Sequence, residues 1–260
     1  MTTFHIPIAP LLSAAVILTR VSFLLVFMPL FGESHTPGRV RVLLAVALTM
    51  ILAPLRLVDL SAFPTTLPAL IVGLAPEALI GLTLALVGRM IFGAVQFAGQ
   101  LAGREMGFAM GNEIDPSSGI QITVVAQLQY AAAVVIFLAS GAYSIFFQAI
   151  ADSFRLIPPF GARATPSLFE LVRAAAAYMF YLGLKLNFPI IGTMICVNVT
   201  FAMLAKAVPH LNIFIESFPV RILAGLFVLS VSMTFFASLV HQSFGEMDRQ
   251  VAYALRALSP

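Results

Sequence analysis

Residues 99–121 read GQLAGREMGFAMGNEIDPSSGIQ, the least apolar part of an otherwise apolar middle section, set between two long hydrophobic runs. Its glycines, Gly99, Gly103, Gly107 and Gly111, fall four residues apart, so on a helix they form one slowly drifting strip along which a second backbone can approach. One small-residue pair of this spacing is common in an oily chain, whereas three overlapping pairs are a moderately specific signal for close helix packing. Met106, Phe108 and Met110 interleave with the last glycines. Asp115-Pro116 then breaks the pattern, because proline disfavours helical geometry in the residue before it. The stretch reads as a methionine-lined loop between membrane-type helices, whose soft unbranched side chains suit sealing an irregular gap and repacking when something passes.

The 260 residues are 60% hydrophobic and only 10% charged, and the mean hydropathy is +1.02, far from a soluble globular domain. Without water every backbone N–H and C=O has to be satisfied internally, which leaves helices or a closed barrel, and unbroken apolar runs are not the alternating pattern of barrel strands. The expected fold is an all-α integral membrane protein with about six hydrophobic spans. A net charge of +3 carried by scattered basic residues implies no nucleic-acid partner. Cys196, the one cysteine, lies in an apolar run and reads as a small buried hydrophobe. The opening MTTFHIPIAP has no positive charge ahead of its apolar run and does not look like a removable signal peptide.

The first span is expected over Ile8–Phe31 and contains Arg20; the second opens at Arg39 and Arg41 and ends near Pro54. A third apolar run, from Leu67 to Ala98, is longer than the ~20 residues needed to cross a bilayer, holds Glu77 and Arg89, and is a candidate for bending at Pro76. Those two charges lie roughly 120° apart around a helix and cannot pair along one face. Arg20 with Glu77 is a possible structural ion pair, favoured over a proton relay, which needs more titratable groups than this interior offers. Ile122–Phe147 reads as a clean fourth span, with Gln127 and Gln129 placed for interhelical hydrogen bonds. Ala151–Glu170 reads as a loop, although Asp152–Leu156 can be a helix end. Leu171–Val208 is again over-long, interrupted by Lys185, Asn187, Pro189 and Asn198, and is expected to form a hairpin or a sharply bent helix. Pro219–Phe244 is the last span, and the mildly amphipathic tail is expected in water or at the membrane surface. The two halves share a plan, and basic residues on alternate loops nearly balance, so orientation is not assigned.

No reactive constellation stands out. His5, His35, His210 and His241 are far apart, there is no HExxH or CxxC, and Ser117 and Ser118 sit in a turn, not in a nucleophile elbow. No enzyme activity, cofactor or metal is expected.

RVRVLLAVALT (39–49), PEALIGLTLALVGR (76–89), GFAMGNEIDPSSGIQ (107–121) and PHLNIFIESFPVR (209–221) resemble the FliR/SctT family of type III secretion export-gate proteins over nearly the whole chain. Met106, Gly107, Phe108, Asn112, Asp115, Pro116 and Gly119 match the family's loop, and Asn212, Phe214, Phe218 and Pro219 its second motif; Ser117 and Ser217 depart from it. The resemblance implies a subunit of the bacterial inner-membrane export gate of the flagellar basal body, assembled with FliP-like and FliQ-like subunits and with FlhB, and passing unfolded flagellar proteins. It implies a FliP-like part over about 1–150 and a FliQ-like part over about 151–260. It makes the central loop a channel plug (Met106, Gly107, Phe108, Met110, Asn112, Asp115), and it implies that Arg20, Glu77, Arg89 and Lys185 are buried against partner helices instead of lipid. The virulence-type injectisome gate is the alternative within the family. Outside it, a secondary transporter with broken helices ranks second and a membrane enzyme third.

Overall fold

The computed structural model describes residues 8–29, 31–32, 36–55, 66–108, 122–208, 210 and 212–259. Among them are seven α-helices and one 3-10 turn, with no strand: α1 (Ile8–Phe27), α2 (Gly38–Leu52, followed by a 3-10 turn at Ala53–Leu55), α3 (Leu67–Glu105), α4 (Val124–Ala139), α5 (Tyr143–Leu156), α6 (Pro166–Ala207) and α7 (Ile213–Leu258). The all-helical expectation holds. Of the expected six spans, the described residues hold three helices long and apolar enough to cross a membrane, in α3, α6 and α7, or four if α4 and α5 count as one broken span. Length decides this for α2, whose 15 residues cover roughly 22 Å at 1.5 Å each against ~30 Å of hydrocarbon.

The fourth span is not continuous. α4 and α5 meet at a 61° bend, because Gly141 sits at φ 71°, in the left-handed region that ends a helix and that glycine enters without a Cβ clash. Thr123 starts α4 as its N-cap, its hydroxyl accepting from Ala126 N–H at 3.3 Å. Conversely, the expected break in the second long run is absent: α6 passes through Lys185, Asn187 and Pro189 as one helix of 42 residues. A proline removes one hydrogen bond, and neighbouring turns carry the helix through it, as they do at Pro76 in α3 and Pro219 in α7. The helix end foreseen at Asp152–Leu156 is the C-terminal part of α5.

By compactness the chain falls into two interleaved units. The first comprises residues 1–90, 141–175 and 245–260. Val16, Ile17, Val21, Leu24 and Leu25 of α1, Ile80 and Leu84 of α3, and Phe146, Ile150 and Phe154 of α5 are buried in it. Gly81 lies against the α1 backbone, where a Cβ would collide with the Arg20 carbonyl. The tail expected in water or at the membrane surface belongs to this unit. Met247, Val251, Ala254, Leu255 and Leu258 form a buried helical stripe, and Thr165 Oγ1 donates to Ala257 O at 2.6 Å.

The second unit comprises residues 91–140 and 176–244. Its core gathers Ala102 and Met106 from the end of α3, Val125 from α4, Ile190 and Met194 from α6, and Leu229 from α7. An edge-to-face chain of rings, Tyr130, Phe92, Phe137 and Phe244, extends it. Within this unit α6 buries one stripe, Leu182, Leu186, Ile190 and Met194, one residue every helical turn.

Candidate functional site

At Gly99 and Gly103 the glycine strip on α3 lies directly against the start of α4. A Cβ on Gly99 would collide with Ala126 Cα and lie 2.9 Å from its Cβ, and one on Gly103 would lie 2.5 Å from Thr123 Oγ1. Thr123 Oγ1 donates in turn to Gly99 O at 3.2 Å, so the hydroxyl that caps α4 also ties it to α3. Gly107 does something different. It stands beyond the helix at φ 88°, with Gly107 N–H donating to Arg104 O at 3.0 Å and Phe108 N–H to Gly103 O at 2.9 Å. This is the two-bond C-terminal cap that a left-handed glycine permits, so α3 ends here, ahead of Asp115-Pro116. Gly111, Met110, Asn112 and Asp115 lie outside the described residues.

The cap turn is where the two sequence motifs meet. Phe218 of the second motif lies over Gly107, its ring atoms Cδ1 and Cε1 each 3.0 Å from where a Gly107 Cβ would be. Asn212 starts α7, its carbonyl accepting from Ile215 and Glu216 N–H at 3.0 and 3.1 Å; its side chain and Pro219 are exposed. The side chain of Phe214 lies outside the described residues. Met106 and Phe108, paired in the sequence reading as seal residues, separate in the structure. Met106 is 0% exposed and Phe108 36%, because the turn at Gly107 sends one side chain into the core and the other out of it. Met106→Ala is therefore expected to destabilise the chain by about 2–5 kcal/mol, as for other buried large-to-small changes. Phe108→Ala is expected to cost much less, which thermal melting of the detergent-solubilised chain measures. Ala102 is buried in the same core cluster as Met106.

In the first unit the structure pairs two of the four expected interior charges with each other inside the chain, without recourse to partner helices. Arg20 Nε donates to Glu77 Oε2 at 2.8 Å, and Arg20 Nη2 lies 2.6 Å from the same oxygen. Arg20 Nη1 donates to Ser153 Oγ at 2.9 Å, and the guanidinium lies 4.0 Å from the Phe154 ring centre. The other oxygen, Glu77 Oε1, accepts from Phe160 N–H at 2.8 Å, and Phe160 has a φ of 64°, unusual for a residue with a side chain. One buried ion pair thus joins α1, α3, α5 and the α5–α6 connection. Ser153, Phe154 and Phe160 carry no sequence signal that marks them for this.

Arg89 and Lys185, which the family resemblance implies are covered by partner helices, are exposed on the chain by itself. Arg89 is turned roughly 120° from Glu77 on the same helix, and Lys185 lies off the buried stripe of α6. The Lys185 ammonium sits 5.6 Å from the Tyr181 ring centre, in a groove of about 420 Å³ lined by Tyr181, Leu184, Phe188 and Phe235. Cys196 is likewise exposed, not buried, for the same reason of helical phase. Gln127 bonds locally, Nε2 donating to Ile122 O at 3.2 Å, instead of reaching another helix. Among the described residues no group of three His, Cys, Asp or Glu side chains converges as a metal site would require.

A family model described as bacterial export proteins, family 1, matches residues 11–247. The chain belongs to that family. The export protein is 30% identical over 240 residues to the flagellar biosynthetic protein FliR of Pectobacterium carotovorum subsp. carotovorum, covering 92% of this chain and 91% of the relative. It is 28% identical to the protein of the same name from Escherichia coli strain K12, covering 90% and 89%. It is also 28% identical to that from Bacillus subtilis strain 168, covering 86% and 87%. Both motif regions of this export protein fall inside the matched residues, so the Gly107–Phe218 contact joins two parts of a single family domain.

Proposed function

We propose that this chain is a subunit of the flagellar type III export gate in the bacterial inner membrane, assembled with FliP-like and FliQ-like subunits and with FlhB around a channel for unfolded flagellar proteins. The observation that carries the reading is its membership of the bacterial export family with near full-length likeness to proteins named for flagellar biosynthesis, which favours the flagellar system over the injectisome. Large exposed apolar side chains on the long helices, among them Phe188, Val199 and Met203 of α6 and Leu223, Phe227 and Val231 of α7, support a chain built to be covered by other helices. Arg89 and Lys185 are the charges such neighbours would have to satisfy. The first 150 or so residues act as the FliP-like part and the remainder as the FliQ-like part. The role is structural, with no catalytic step.

The segment that begins at the Met106–Phe108 turn serves as the plug. An apolar side chain exposed at its root, Phe108, and the unbranched thioether side chain of Met110 exclude water from a closed channel and yield to a passing polypeptide. The test is Phe108→Ala with Met110→Ala in cells carrying the whole complex, leaving the buried Met106 intact. The expected result is normal recovery of the complex with raised entry of a small dye. A complex that stays as tight as the parent removes the plug role from these residues.

A further inference from the structure

We infer that Gly225 and Phe218 on α7 are positioning residues for the turn at which the chain leaves α3, so that the turn and this part of α7 move as one body. The functional consequence rests on the plug reading; the geometry does not.

The two residues stand seven apart, two helical turns, and therefore on one face of α7. They receive two adjacent residues of the turn. A Cβ on Gly225 would lie 2.5 Å from Met106 Cγ, 2.6 Å from its Cε and 2.9 Å from its Sδ, so the whole thioether lies along bare α7 backbone. Any side chain at 225 displaces it. Phe218 covers Gly107, the residue whose left-handed φ makes the cap. Leu229, one turn beyond Gly225 on the same face, closes the other side in the buried cluster that holds Met106. A shift of α7 by one turn would bring a side chain to where Gly225 now leaves room, which expels Met106 and with it the cap. The register of α7 thus decides where the following segment starts.

The geometry is tested by a cysteine pair, Met106→Cys with Gly225→Cys, in a Cys196→Ser chain within the whole complex. Met106 Cγ is one bond from Cβ, which puts the two Cβ atoms within about 4 Å, inside disulfide range. Added oxidant is expected to close this link in most of the complex and to leave Met106→Cys with Leu223→Cys open, since Leu223 is on the exposed face. Equal linkage of both pairs, or none in either, overturns the inference. The consequence is tested by dye entry. Gly225→Ala is expected to raise it several-fold with the complex still recovered. Adding Met106→Ala, which removes all three colliding atoms, is expected to bring it back down, a non-additive effect characteristic of residues in contact. If Phe108→Ala with Met110→Ala leaks while Gly225→Ala stays tight, the plug reading stands and the positioning role falls. If the Phe108 and Met110 variant stays tight, the plug reading falls, and the cross-link alone decides whether α7 holds the turn.

Discussion

Replacing Arg20 or Glu77 with leucine is expected to destabilise the chain by about 3–5 kcal/mol, the loss seen when one member of a buried ion pair is left without the other. That is a large part of the roughly 5–15 kcal/mol by which a folded domain is stable at all. Both side chains are 0% exposed, so neither solvent nor added salt screens the charge that remains. The two single changes differ in detail. Arg20→Leu leaves Glu77 with the Phe160 N–H donating to its Oε1. Glu77→Leu leaves the guanidinium against Ser153 Oγ and the Phe154 ring and also removes the carboxylate that the part-buried Phe160 N–H donates to, a further loss. Glu77→Leu is therefore the more damaging of the two. The double variant, Arg20→Leu with Glu77→Leu, removes both charges and is expected to be more stable than either single one. Thermal melting of the solubilised chain ranks the variants. A double variant worse than both singles would mean that the pair contributes net stability beyond mutual neutralisation.

Alanine at Gly99 or Gly103 is expected to cost about 1–3 kcal/mol each, through overpacking between α3 and α4. At Gly99 the added methyl meets backbone, Ala126 Cα and N, which cannot rotate away. At Gly103 it meets all three non-backbone heavy atoms of Thr123, whose hydroxyl is already committed to Gly99 O and Ala126 N–H. Gly192, in the interior of α6, has nothing within 4 Å of its added Cβ. Alanine there is expected to stabilise the same solubilised chain by about 0.5–1 kcal/mol, through reduced freedom of the unfolded backbone. Opposite signs at chemically identical substitutions are the measurement. If Gly99→Ala and Gly192→Ala shift the melting temperature in the same direction, the strip is not a packing surface.

Helical class and membrane character were legible in composition, since an apolar chain has no alternative to satisfying its own backbone hydrogen bonds. The strip at Gly99 and Gly103 was legible because a bare helix face has only one common use, and Arg20 with Glu77 because two opposite charges in an oily chain need each other. Sequence also marked both motifs. It did not place the end of α3, which falls at Gly107 because that residue takes a left-handed conformation, nor the bend at Gly141; glycine permits such angles without requiring them. It did not say which side of α6 faces inward, since that helix is apolar nearly all round and its hydrophobic pattern selects no face. Cys196 reads as buried from the apolar run around it, and packing alone puts it on the outside; Lys185 lies on the outside of this chain too, where a partner helix is expected to cover it. Nor could spacing along the chain bring Met106 onto Gly225, or Ser153 and Phe160 onto the ion pair. Those contacts join residues distant in sequence, and only the tertiary arrangement of the long helices decides them.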